Sequence, residues 1–93
     1  MNVGGYIALI KDESSLQILN LCRQPKTTDE IIKELWVKLK FQYPLLYDLR
    51  SKVTEVVAPR LNSLEILGAL EYAEGSWLIS DEAINYLSKY CGL

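Results

Sequence analysis

Between Thr54 and Leu67 the apolar residues Val57, Leu61, Leu64 and Leu67 recur every three or four positions and are followed at once by Gly68. That spacing draws one apolar stripe along a helix, and a glycine just past its end supplies the left-handed residue that closes it. A helix with a single apolar stripe must bury it against other elements, so the remaining chain has to provide them. Immediately downstream, Leu70, Tyr72, Trp77 and Ile79 flank the turn residues Ala73-Glu74-Gly75, which predicts a two-stranded hairpin over 69–71 and 76–79. Pro59 lacks an N–H, and the helix is therefore expected to begin near Thr54 with Pro59 in or near its first turn.

Upstream, the run Tyr6 to Ile10 behind Gly4-Gly5 fits either strand or helix. Asp12, Ser14 or Ser15 can cap a helix carrying Leu16, Ile18, Leu19 and Cys22 that ends around Arg23, before Pro25. Thr27 followed three residues later by Glu30 is a capping box, and the helix it opens carries Ile31, Ile32, Leu35 and Trp36 toward Leu39 or Phe41. Over Gln42 to Lys52, Pro44 can start a helix with Leu45, Leu46, Leu49 and Val53 on one face, either as an insertion or as an extension of the next helix. Ser80 or Asp81 caps a last helix through Ala83, Ile84, Leu87, Tyr90 and Cys91. With 93 residues, 49% of them hydrophobic, this is enough for one core and not two, so 1–93 reads as a single domain, mainly α with a small β-hairpin (α+β).

The stretch Val57 to Glu71 resembles the recognition helix, glycine stop and first wing strand of winged helix-turn-helix proteins. Ala8 to Leu21 and Pro25 to Ile31 resemble the opening of ArsR-like members, and Trp77 to Leu87 is similar to the strand-then-helix ending of small archaeal ArsR-like and MarR-like transcriptional regulators. The resemblance covers nearly the whole chain in order. It implies a three-helix core plus wing, with flanking N- and C-terminal helices, and a homodimer paired through Tyr6–Ile10 and Ile84–Tyr90. Two departures stand out: Trp36 to Val53 is far longer than the usual turn of about three to four residues, and Ser15 replaces the usual arginine. The segment between the second and third core helices is thus enlarged by either a longer helix or an extra one.

What the chain lacks narrows its chemistry. It has no histidine, which removes the commonest general base and metal ligand, and Cys22 and Cys91 form no CxxC pair. The metal-sensing clusters of ArsR proteins are absent, and no cofactor or metal is expected. Carboxylate pairs Asp12-Glu13, Asp29-Glu30 and Asp81-Glu82 fall at expected helix starts, where the helix dipole accounts for them, so an enzyme is not expected. No run approaches a membrane span and Met1–Ile10 has no basic region before its apolar run, so a cytoplasmic protein without membrane contact is expected.

The net charge of −2 argues against a simple polybasic binder, but its distribution is uneven. Residues 1–32 hold three basic and four acidic side chains, 33–60 six and three, and 61–93 one and five. A basic middle third suits the function that the resemblance implies, sequence-specific double-stranded DNA binding as a small transcriptional regulator. Lys38, Lys40, Arg50, Lys52 and Arg60 are the expected phosphate contacts, with Thr54, Asn62 and Ser63 on the same helix offering hydrogen bonds. The wing argues differently: Glu71 and Glu74 flank its turn and no Lys or Arg lies between Leu61 and Ser88. Phosphate would repel it, so the alternative is a winged-helix protein–protein interaction module whose acidic wing meets a protein partner.

Overall fold

The computed structural model describes residues 11–42 and 49–90, apart from the side chains at 39, 41, 42, 49, 50 and 90. In chain order these residues form α1 (Glu13–Leu21), α2 (Thr28–Gln42), α3 (Leu49–Leu67), β1 (Leu70–Ala73), β2 (Ser76–Ile79) and α4 (Asp81–Tyr90). The result is a mainly helical protein with one antiparallel hairpin. The run Tyr6–Ile10, the residues Pro44, Leu45 and Leu46, and Cys91 lie outside the described residues, and with them the flanking N-terminal helix.

The start of α2, the end of α3 and the start of α4 each have a local cause. At α2 the Thr27 Oγ1 accepts from the Glu30 N–H at 3.2 Å while a Glu30 carboxylate oxygen accepts from the Thr27 N–H at 3.0 Å, the reciprocal capping box expected from the sequence. Those bonds from Thr27 hold the fully exposed Glu30 carboxyl below its ordinary pKa. At the end of α3, Gly68 adopts φ +87°. There the Ala69 N–H reaches back to the Leu64 carbonyl at 2.9 Å and the Gly68 N–H to Glu65 at 3.0 Å. This double closure satisfies two carbonyls that the helix leaves open, and it seats Ala69 beside Leu64, both buried. The Ser80 Oγ does two jobs, accepting the Ala83 N–H at 3.1 Å as the cap of α4 and donating to the Gly68 carbonyl at 2.7 Å. The end of α3 is thereby tied to the start of α4.

The hairpin turns through Glu74 (φ 54°) and Gly75 (φ 78°). Two successive left-handed residues make the turn whose twist matches that of paired strands, and Glu74 is the costly one because its Cβ crowds the backbone there. The register pairs Leu70 with Ile79, Glu71 with Leu78, Tyr72 with Trp77 and Ala73 with Ser76. Alternation along the strands puts Leu70, Ile79, Tyr72 and Trp77 on one face and Glu71, Leu78, Ala73 and Ser76 on the other. On the inner face Leu70 and Ile79 are buried, and farther out the Tyr72 and Trp77 rings tilt together at 4.7 Å. The outer edge of β2 is also occupied: the Trp77 N–H donates to the Lys26 carbonyl at 2.7 Å, the Lys26 N–H to Trp77 at 3.0 Å, and the Ile79 N–H to Cys22 at 2.9 Å. The Trp77 indole N–H adds a bond to the Thr28 hydroxyl at 2.9 Å.

One cluster of buried side chains joins these elements. Ile18, Leu19 and Cys22 of the α1 region meet Ile31, Ile32 and Leu35 of α2, then Val53, Val57, Leu61 and Leu64 of α3, Leu70 and Ile79 of the hairpin, and Ala83 and Leu87 of α4. Cys22 is a free thiol in this core, and burial pushes its pKa up to about 11. A thiol so placed stays protonated, and below pH 9 a maleimide or disulfide reagent should leave it unmodified until the chain unfolds, which mass spectrometry of peptide fragments reads directly. The unfolded thiol ionises near pH 9 and the folded one near 11, so stability is expected to fall as pH rises through that window.

Two expectations on α3 change. The helix starts at Leu49, not near Thr54, so Pro59 lies inside it rather than in the first turn. A proline there removes the hydrogen bond to the Glu55 carbonyl, four residues earlier. Glu55 and Pro59 are both exposed, so water can satisfy that carbonyl. The enlarged segment resolves in the same way: α2 continues to Gln42 and α3 begins at Leu49, so lengthening of both helices absorbs most of Trp36 to Val53.

Candidate nucleic-acid interface

The buried stripe of α3 fixes what its opposite face presents. With Val53, Val57, Leu61 and Leu64 turned into the core, a helix of 100° per residue turns Glu55, Pro59, Asn62 and Ile66 outermost. Lys52 and Ser63 lie on one flank of that ridge and Thr54 and Ala58 on the other, and all of these residues are exposed. Ile66 is 78% exposed, the most open of the large apolar side chains described.

The expected contact residues divide into three groups. Lys38 and Lys40, near the end of α2, and Lys52, in the first turns of α3, flank the connection 43–48 along the chain, and Lys38 and Lys40 project about 200° apart around α2. The Lys40 ammonium rests 5.0 Å from the centre of the Trp36 ring, while Lys52 meets Glu55 at 3.6 Å in a fully solvated pair. Such a pair is worth little and can open for a phosphate. The backbone of Arg50 is helical at the start of α3, and its side chain lies outside the described residues. Asn62, Ser63 and Thr54 form the polar middle of α3.

Arg60 is placed differently. Its guanidinium is bound within the fold: Nε donates to Asp12 Oδ2 at 2.9 Å, Nη2 to Asp12 Oδ1 at 3.4 Å, and Nη1 to the Val56 carbonyl at 2.9 Å. A proline at position 59 loosens the turn that surrounds it, and Arg60 covers one of the carbonyls there while clipping α3 to the start of α1. Burial pushes the Asp12 carboxyl up, but hydrogen bonds from Ser15 and Arg60, with the Arg60 charge, hold it below its ordinary value. Sequence reasoning missed this pair. The signal was available in the helical wheel, because position 60 falls beside Val53 and Leu64 on the core side, and a cation there needs an internal partner.

The electrostatics of the α3 face are mixed. Among the described side chains that face carries Lys52 against Glu55 and Glu65, so the positive charge belongs to the end of α2 and the start of α3 and not to the ridge. Glu71 and Glu74 are exposed on the hairpin, as the charge distribution implies. Acidic residues occupy the first turns of α1, α2 and α4, where they face helix N-termini. No group of three metal-ligating side chains occurs among the described residues, and no helix among them is long and apolar enough to cross a membrane. Comparison with known protein families, curated sequences and solved structures finds no match to this chain.

Proposed function

We propose that the chain is a small winged-helix DNA-binding regulator that sets α3 in the major groove, with the end of α2 and the start of α3 on the backbone. The observation that carries this reading is that Lys38, Lys40 and Lys52 are exposed on the end of α2 and the start of α3, and that the outward polar residues of α3 include Asn62 and Ser63. The arrangement of the elements supports the winged-helix assignment. Three helices precede the hairpin and one follows it, and the Lys26–Trp77 bridge adds a third short partner to the sheet. Lys38, Lys40 and Lys52 would fix register on the phosphates, while Asn62, able to donate and accept together, suits the edge of an adenine.

Fluorescence anisotropy with a mixed-sequence duplex tests the reading. Binding should weaken linearly in log salt, and Lys52→Ala should reduce the slope by about one while weakening all sequences alike. Asn62→Ala should instead narrow the gap between preferred and random sequence by about 1–3 kcal/mol. Absence of binding at low salt would remove the proposal. The second reading, a protein-interaction module, is favoured by the exposed hairpin with Glu71 and Glu74, which make no ion pair among the described residues.

A further inference from the structure

On the outer face of the hairpin a concavity of about 250 Å³ is lined by Pro25, Ala73, Ser76 and Leu78 together with Glu71 and Glu74. Small-molecule sites run to about 300–1,000 Å³, so this hollow suits a protruding side chain better than a cofactor. Leu78 is 38% exposed and lies directly across from Glu71 in the strand register. An apolar surface and a carboxylate thus stand side by side with nothing to gain from each other. Glu71 and Glu74 are both exposed, and neither makes an ion pair among the described residues. The chain offers them no neighbouring cation. No Lys or Arg lies between Leu61 and Ser88, and Lys26, next to Pro25, holds its ammonium on Glu34 at 3.3 Å with its side chain only 21% exposed.

A long side chain with an apolar stem and a cationic head answers both parts of this surface at once. We propose that the concavity receives an arginine from a basic segment of a partner protein, its methylenes on Leu78 and Pro25 and its guanidinium between Glu71 and Glu74. A guanidinium carries five donors in a flat fork and can serve two carboxylates together, whereas a lysine ammonium is a single point charge. The proposal rests on the protein-interaction reading and not on DNA binding.

A short basic peptide tests it. Isotope-labelled, DNA-free protein is titrated with a capped Gly-Arg-Gly-Arg-Gly peptide at about 0.15 M salt, where remote charges are screened. Amide shifts should move at Glu71, Glu74 and Leu78, and the matching Gly-Glu-Gly-Glu-Gly peptide should move none of them. Glu71→Gln/Glu74→Gln should weaken binding at least about tenfold. Glu55→Gln/Glu65→Gln, which removes the same charge from α3, should leave it within about twofold. Leu78→Ser should weaken it about fourfold, the worth of roughly one buried methylene. The glutamate doublets change exposed positions, and circular dichroism checks that each variant folds. Equal losses in the two doublets would reduce the binding to general attraction and overturn the proposal. Hairpin shifts that survive Glu71→Gln/Glu74→Gln would overturn the arginine site while keeping the hairpin as an interaction surface. Shifts confined to other elements, or none, would overturn the site and the hairpin reading together.

Discussion

Ile31→Ala is expected to lower the free energy of unfolding by about 2–5 kcal/mol, read as a fall in urea midpoint at unchanged slope. Ile31 has no solvent exposure and lies in the first turn of α2, where its N–H is fixed to the Thr27 carbonyl at 3.1 Å. The capping box holds the backbone on that side and the cluster shared with α1 and α3 holds the other, so the site cannot collapse around the lost methyl groups. For a domain of this size the whole stability is of order 5–10 kcal/mol, and the loss removes a large part of it. Ile31→Val, which leaves most of the volume filled, should cost only about 0.5–1.5 kcal/mol.

Arg60→Ala is expected to destabilise the fold by about 1–2 kcal/mol, a range kept low because both partners of the ion pair are near one-third exposed. The loss exceeds that of an ordinary surface pair, since the Val56 carbonyl loses a donor beside Pro59 and Asp12 loses two hydrogen bonds. The pH dependence gives a second readout. Asp12 titrates below its unfolded value near 3.9, so its contribution is present above that pH and disappears as pH falls through the lower folded value. Without Arg60 the carboxyl returns toward its ordinary range, and the acid-dependent loss in urea melts should shrink. Arg60→Lys should not restore stability, because one ammonium cannot reach Asp12 and Val56 with the same planar fork. If Arg60→Ala is as stable as the wild type and binds duplex poorly, the residue is a contact and the clip is incidental.

The elements were legible where a local rule determines them. Thr27-x-x-Glu30, Gly68 after the α3 stripe and Ser80 before α4 each satisfy orphan helix-end groups through their own side chain or backbone, and all three act as their types predict. The start of α3 was legible only as one of two alternatives, an inserted helix or an extension of this one, because proline is a strong local signal for a first turn while the tertiary contacts of Val53 and Val57 stabilise a helix running through it. The internal pairing of Arg60 escaped for a related reason: its partner Asp12 is 48 residues away, and nothing in the local sequence connects them. Charge counted by thirds located the basic middle of the chain. It could not divide that charge between α2, the start of α3 and an internal clip, since the division depends on which way each helix turns.

In the proposed complex duplex DNA meets the outward face of α3, the end of α2 and the start of α3. Mapping backbone amide shifts with isotope-labelled protein during titration with duplex at low salt tests it most directly. Perturbations are expected at Lys38, Lys40, Lys52, Thr54, Ala58, Asn62 and Ser63, weakening with added salt, while the Glu71 and Glu74 signals stay in place. Perturbations confined to the hairpin, or none at all, would contradict it.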